Sequence, residues 1–158
     1  MPIVRIEPDL RGENRRVAIV QSRFNARIGE GLLAGALRAL REAGVADDRI
    51  TLVSVPGALE IPLALQRLAQ SGDHDALVAI GAVIRGDTYH FDIVANESAR
   101  ALIDLAINER LALGNGILTV ENEAQANARA RVEEGDKGGA AARAALTMVA
   151  LKHTLVWR

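Results

Sequence analysis

Histidine exchanges protons near neutrality, and this chain has three: His74, His90 and His153. His90 stands out by its company, Arg85-Gly86-Asp87-Thr88-Tyr89-His90-Phe91-Asp92. That segment sets a proton-transfer group beside a glycine, a hydroxyl and N–H groups suited to an anion. The plainer alternative is a turn in which Asp87 or Thr88 caps a helix and His90 is a hydrogen-bonded structural residue. His74, in Ser71-Gly72-Asp73-His74-Asp75, and His153, near the C-terminus, are expected to face solvent.

Only four aromatic residues occur, and three of them, Phe24, Tyr89 and Phe91, follow apolar runs. They either cap strand ends or offer flat faces to a planar ring; Trp157 is the fourth. Lys137, one of two lysines, lies between glycines in Gly135-Asp136-Lys137-Gly138-Gly139, a helix start or an exposed loop. Other chemistries are excluded by what is missing. The chain has no cysteine, hence no disulfide, thiolate metal site or cysteine nucleophile. It has no Walker phosphate loop, no H-E-x-x-H and no G-x-S-x-G. Gly29-x-Gly31-x-x-x-Gly35 is one residue too long for a dinucleotide fingerprint and falls within a helical pattern. No metal site is expected.

The elements that must hold these residues alternate. Runs at 16–22, 50–55, 76–84 and 116–120 read as strands. Helical spacing marks 28–43, 61–70, 91–109, 123–131 and 139–153, with Pro62 in a first turn where its missing N–H costs little. This order predicts a parallel sheet with helices on both faces and right-handed crossovers. Ligands of such sheets sit beyond the carboxyl ends of the strands. There the chain places Arg23-Phe24-Asn25, Val55-Pro56-Gly57-Ala58-Leu59-Glu60, Arg85 to Asp92, and Glu121-Asn122.

The 158 residues suit one domain spanning 1–158, with residues 1–14 as an N-terminal arm. Apolar residues make up 49% and charged residues 25%, a globular balance. With 19 basic and 20 acidic side chains there is no broad cationic field for a nucleic acid or a membrane. No apolar run approaches the roughly 18 residues of a membrane span. Glu7 and Asp9 do not suit a signal peptide, so a cytoplasmic protein is expected.

Four segments together resemble the lumazine synthase family. They are Arg23-Phe24-Asn25; Val55-Pro56-Gly57-Ala58-Leu59-Glu60-Ile61-Pro62; Gly81-Ala82-Val83-Ile84-Arg85-Gly86-Asp87-Thr88-Tyr89-His90-Phe91-Asp92; and Thr119-Val120-Glu121-Asn122 with Gln125-Ala126 and Asp136-Lys137-Gly138. They occur in order over residues 17–150, nearly the whole chain. The resemblance implies a flavodoxin-like, three-layer α/β sandwich with a four-stranded parallel sheet. It implies condensation of 5-amino-6-(D-ribitylamino)uracil with 3,4-dihydroxy-2-butanone 4-phosphate to 6,7-dimethyl-8-ribityllumazine, phosphate and water, without a cofactor. This is the penultimate step of riboflavin biosynthesis.

Carried over by the resemblance, Phe24 stacks on the pyrimidine, and Ala58 and Glu60 hold its edge and ribityl chain. Asn25, Gly57 and Leu59 complete that substrate contact, and Val83 and Ile84 line the pocket. Asp87 and Thr88 hold the phosphate with Arg129, His90 shuttles protons, and Lys137 supports the mouth. The family assembles as pentamers or multiples of pentamers, with sites between subunits. Phe24, Glu60 and His90 then come from one chain, and Asn115, Arg129 and Lys137 from the next. Pro2 and Pro8 interrupt the arm that bridges pentamers in shells, which favours a pentamer or a pair of pentamers.

There are departures from the family pattern. Asn115 stands where many relatives have an aromatic residue, Glu133 replaces a common basic residue, and Arg131 replaces a small one. Two other readings use the same segments: a module that binds a flavin or lumazine without turnover, and a structural shell protein.

Overall fold

The computed structural model describes residues 1–156; Trp157, the fourth aromatic, and Arg158 lie outside the described residues. Nine main elements follow in chain order: β1 (Val17–Ser22), α1 (Ala26–Glu42), β2 (Ile50–Val55), α2 (Ile61–Ser71), β3 (Ala76–Ile84), α3 (His90–Asn108), β4 (Leu113–Val120), α4 (Glu123–Ala130) and α5 (Lys137–Val156). Short 3-10 turns, Asp47–Arg49 and Ala58–Glu60, lead into β2 and α2.

Successive side chains of a strand point to opposite faces, and β1 shows the consequence. Val17 and Ile19 pack with Leu32, Leu40, Leu146 and Val149 of α1 and α5. Ala18 and Val20 pack with Ile61, Leu65, Leu102 and Leu105 of α2 and α3. Two cores on one sheet make the three-layer α/β sandwich. β3 is buried along all but its last residue because helices cover both its faces, which is why its sequence is almost wholly apolar.

All pairings are parallel, and the strand order is β2-β1-β3-β4. The chain leaves β1 towards one edge, then returns to lay β3 on the other side of β1. The two crossovers therefore part between the carboxyl ends of β1 and β3, opening a crevice there.

Several boundaries differ from the expected ones: α1 begins two residues earlier, at Ala26, α5 runs three residues further, to Val156, and the starts of β4 and α5 move for reasons visible in the packing. β4 begins at Leu113, earlier than expected, because Gly114 and Asn115 pair with Val78 and Ala79. Pairing across the sheet outweighs the turn propensity of Gly114-Asn115-Gly116. α5 begins at Lys137, ahead of its glycines. Asp136, in left-handed backbone at φ 44°, accepts a hydrogen bond from Gly139 N through Oδ1 (3.2 Å). Gly138 lies against the Leu32 carbonyl, so only a residue without Cβ lets α5 approach α1 there. Among the described residues no helix is long and apolar enough to cross a membrane.

Candidate active site

The crevice is built from three strand ends. β1 stops at Ser22, and Arg23 N donates to Val55 O (2.9 Å), tying the first loop to the end of β2. Asn25 takes left-handed backbone (φ 56°, ψ 56°), and its carbonyl accepts from Ile28 N and Gly29 N to start α1. This sharp turn leaves Phe24 68% exposed, far more than a core aromatic tolerates. Opposite, Gly57 is extended, and a Cβ there would stand 3.2 Å from the Phe24 ring. Glycine thus lets the ring lie close over the backbone before the Ala58–Glu60 turn and Pro62 open α2.

Phe24, Asn25 and the run Gly57 to Glu60 face Ala82, Val83 and Ile84 at the end of β3 across a cavity of about 470 Å³. His90 and Val94 close it from α3. His90 opens that helix, and its backbone N–H reaches Thr88 Oγ1 only at 3.4 Å. Its ring has no hydrogen-bond partner among the described residues. Nine of the fourteen residues expected at the site line this one cavity. Sequence reasoning passed over Ala82 and Val94. Nothing local distinguishes Ala82 within an apolar strand, but Val94 sits one turn after His90, the spacing that shares a helix face.

The other five expected residues do not line it. Asp87 and Thr88 are exposed on the loop before α3. Asn115 is exposed on β4, where its Oδ1 accepts from Ile117 N (2.9 Å). Arg129 is exposed on α4 with Nη1 donating to Gln125 O (3.0 Å), and Lys137 is exposed at the start of α5. Of the departures, Arg131 pairs with Glu134 (3.1 Å) and Glu133 is exposed.

The expectation that three aromatics lie in the loops and offer flat faces to one pocket is corrected. Phe24 alone lines the cavity; Tyr89 is exposed and outside it. Phe91 belongs to α3 and lies under the Arg85 guanidinium, 4.3 Å from the ring centre. Each helical residue turns about 100° from the last, so a helix that aims His90 inward aims Phe91 elsewhere.

The other histidines are also placed. His74 is half-buried, not solvent-facing: its Nε2 shares a hydrogen bond with Thr51 Oγ1 (3.2 Å), and its Nδ1 is buried. Its loop precedes β3 and folds back over the start of β2, which removes it from solvent. His153 is exposed, 3.1 Å from Arg15. Among the described residues no group of three or more His, Cys, Asp or Glu could hold a metal ion.

An apolar floor, one open aromatic face, a carboxylate and an unspent imidazole suit a planar heterocycle carrying hydroxyl groups. The comparisons with known proteins agree. A family model described as "6,7-dimethyl-8-ribityllumazine synthase" matches residues 14–153. The chain is 59% identical over 144 residues to "6,7-dimethyl-8-ribityllumazine synthase 1" of Rhizobium meliloti, covering 88% of this chain and 92% of that one. It is 58% identical over 147 residues to the synthase of Methylobacterium radiotolerans, covering 93% and 87%. To that of Burkholderia multivorans it is 48% identical over 155 residues, covering 98% and 88%. The match runs through every strand end that builds the cavity, and the chain belongs to the 6,7-dimethyl-8-ribityllumazine synthase family.

Proposed function

We propose that this cavity is where the chain condenses 5-amino-6-(D-ribitylamino)uracil with 3,4-dihydroxy-2-butanone 4-phosphate. The observation that carries the reading is Phe24, exposed over Gly57, with His90 on the opposite wall. The uracil ring stacks on Phe24 while Glu60 accepts from ribityl hydroxyls, a charge-assisted contact. Ala58 meets the ring edge, Asn25, Gly57 and Leu59 complete that wall, and Val83 and Ile84 supply the apolar floor.

The 5-amino group attacks the butanone carbonyl, and loss of water leaves an imine. Loss of the C3 proton then expels phosphate from C4, and the resulting enol tautomerises to a C3 ketone with a C4 methyl group. The ribitylamino nitrogen attacks this new carbonyl, and loss of a second water closes the ring. His90 accepts and returns protons in these steps. The substrate brings its own nucleophile, so the protein's main task is to hold two reactants together, worth roughly 7–11 kcal/mol.

A phosphate needs cations. Among the described residues the cavity wall holds Glu60 but neither lysine nor arginine. In the proposed arrangement a second copy completes the site: Arg129 binds the phosphate with Asp87 and Thr88, and Asn115 and Lys137 close the mouth. The chain then works as one domain, residues 1–158, in a pentamer or a multiple of pentamers, in the cytoplasm.

Lumazine formation and phosphate release are followed in parallel to test this. His90→Ala and Arg129→Ala subunits, each impaired alone, regain activity when co-assembled, because some sites then receive both native residues. Failure to regain activity despite mixed assembly places both residues in one chain's site. A wild type that binds the pyrimidine without forming product is a binding module, and one that assembles without binding is a shell protein.

A further inference from the structure

Arg85 follows β3, outside the cavity, and its backbone N–H donates to Val120 O (2.9 Å) at the end of β4. Its guanidinium has three partners. It lies over Phe91 at 4.3 Å, its Nε donates to Glu121 Oε2 at 2.6 Å, and its Nη1 reaches Asp92 Oδ2 at 3.4 Å. Phe91 and Asp92 are the two residues directly after His90 in the first turn of α3. Glu121 opens the connection to α4: its N–H donates to Gln125 Oε1 (2.8 Å), and the Gln125 carbonyl accepts from Arg129 Nη1 (3.0 Å).

We propose that Arg85 is a positioning residue for the condensation, tying the helix start that carries His90 to the connection that leads into α4, the helix that carries Arg129. This rests on the function proposed above. A single exposed ion pair would do little, and Arg85 is 40% exposed. Three contacts on one planar group differ, because each restrains the orientation that the others need. Stacking on Phe91 sets the plane of the guanidinium, and the two carboxylates set its rotation within that plane. Lysine carries the charge but not the plane or the fork. If His90 and Arg129 of one chain serve different sites of the assembly, Arg85 also links neighbouring sites through a continuous row of contacts.

The test measures kcat and KM for both substrates in the full-length protein with Arg85→Ala, Arg85→Lys and Asp92→Asn, alongside oligomeric mass and melting temperature. Misplacing His90 predicts kcat lower by about tenfold in Arg85→Ala and in Arg85→Lys, with the pyrimidine KM within about twofold. Asp92→Asn, which keeps the stack and the Glu121 bond, falls between these and wild type. An assembled Arg85→Ala protein with wild-type kcat overturns the proposal, as does full recovery by lysine. If Arg85→Ala does not assemble, the kcat of the lysine and Asp92 variants decides in the same way. A wild type without condensation activity overturns the functional reading itself, a separate result.

Discussion

At the amino ends of the strands, His74 faces a cavity of about 680 Å³ with Arg16, Arg49, Asp73 and Asp75; at the carboxyl ends, His90 faces a smaller one of about 470 Å³ with Phe24 and Glu60. The amino end has spent most of its polar groups, and the one left over, His74 Nδ1, is buried without a hydrogen-bond partner among the described residues. Asp75 Oδ2 accepts from Arg16 N (2.8 Å), Arg49 donates to the Asn14 carbonyl (3.4 Å), and His74 is bonded to Thr51. Two arginines and two aspartates also balance in charge there. The carboxyl end keeps an open aromatic face, an apolar floor and an imidazole without a partner among the described residues. Volume therefore does not mark the site. Accessible, unspent chemistry at the crevice between β1 and β3 marks the proposed site, because the parting of the crossovers there leaves side chains that no element of this chain covers.

The largest expected effect separates the two histidines directly. His90→Ala lowers kcat by about 10²–10⁴-fold, the usual worth of a positioned acid–base group, and leaves measurable turnover because the reactants are still held together. His74→Ala leaves kcat at the wild-type value in a folded protein. A loss of similar size from His74→Ala would break the comparison.

A smaller effect sharpens it. Stacking of a base on an aromatic ring is worth roughly 1–3 kcal/mol, so Phe24→Ala weakens pyrimidine binding by about tenfold or more. Its melting temperature stays near that of wild type, since Phe24 is mostly exposed and contributes little to the core. A large fall in stability would make the ring a strand cap instead of a binding face.

The smallest effect lies at the amino end. Asp9 is held well below its ordinary 3.8, at about 2, by the Arg11 side chain first and then by the Arg11 backbone N–H. Its folded-state pKa is lowered, so its contribution to the ordering of the arm is complete above the ordinary value. That contribution is lost as pH falls from about 4 through about 2. A carboxyl titration by NMR should place the midpoint of Asp9 near 2 with no change in activity at neutral pH. An ordinary midpoint would show that the Asp9–Arg11 pair of the arm does not hold in solution.

Much of the fold was legible because burial leaves a local trace. The apolar run Ala76 to Ile84 announces a strand covered on both faces, and Pro62 announces the start of α2. The start of β4 was not legible, because Gly114 and Asn115 carry no strand pattern and only their pairing with Val78 and Ala79 makes them strand. The same holds for the site. Phe24, Glu60 and His90 could be singled out as unusual residues after strands, whereas Val94 joined them through helix geometry and Phe91 left them for the same reason.

By itself, the sequence determined the alternation of strand and helix, the parallel sheet and the loops that carry the chemistry, because hydrophobic periodicity and turn residues act over a few neighbours. Tertiary structure alone decided the rotation of α3 that points His90 inward, the commitment of His74 to Thr51, and the grip of Arg85 on Phe91, Asp92 and Glu121. Each depends on the angle and depth at which whole elements pack, set by contacts between residues far apart in the chain, such as Arg85 with Glu121 and Thr51 with His74.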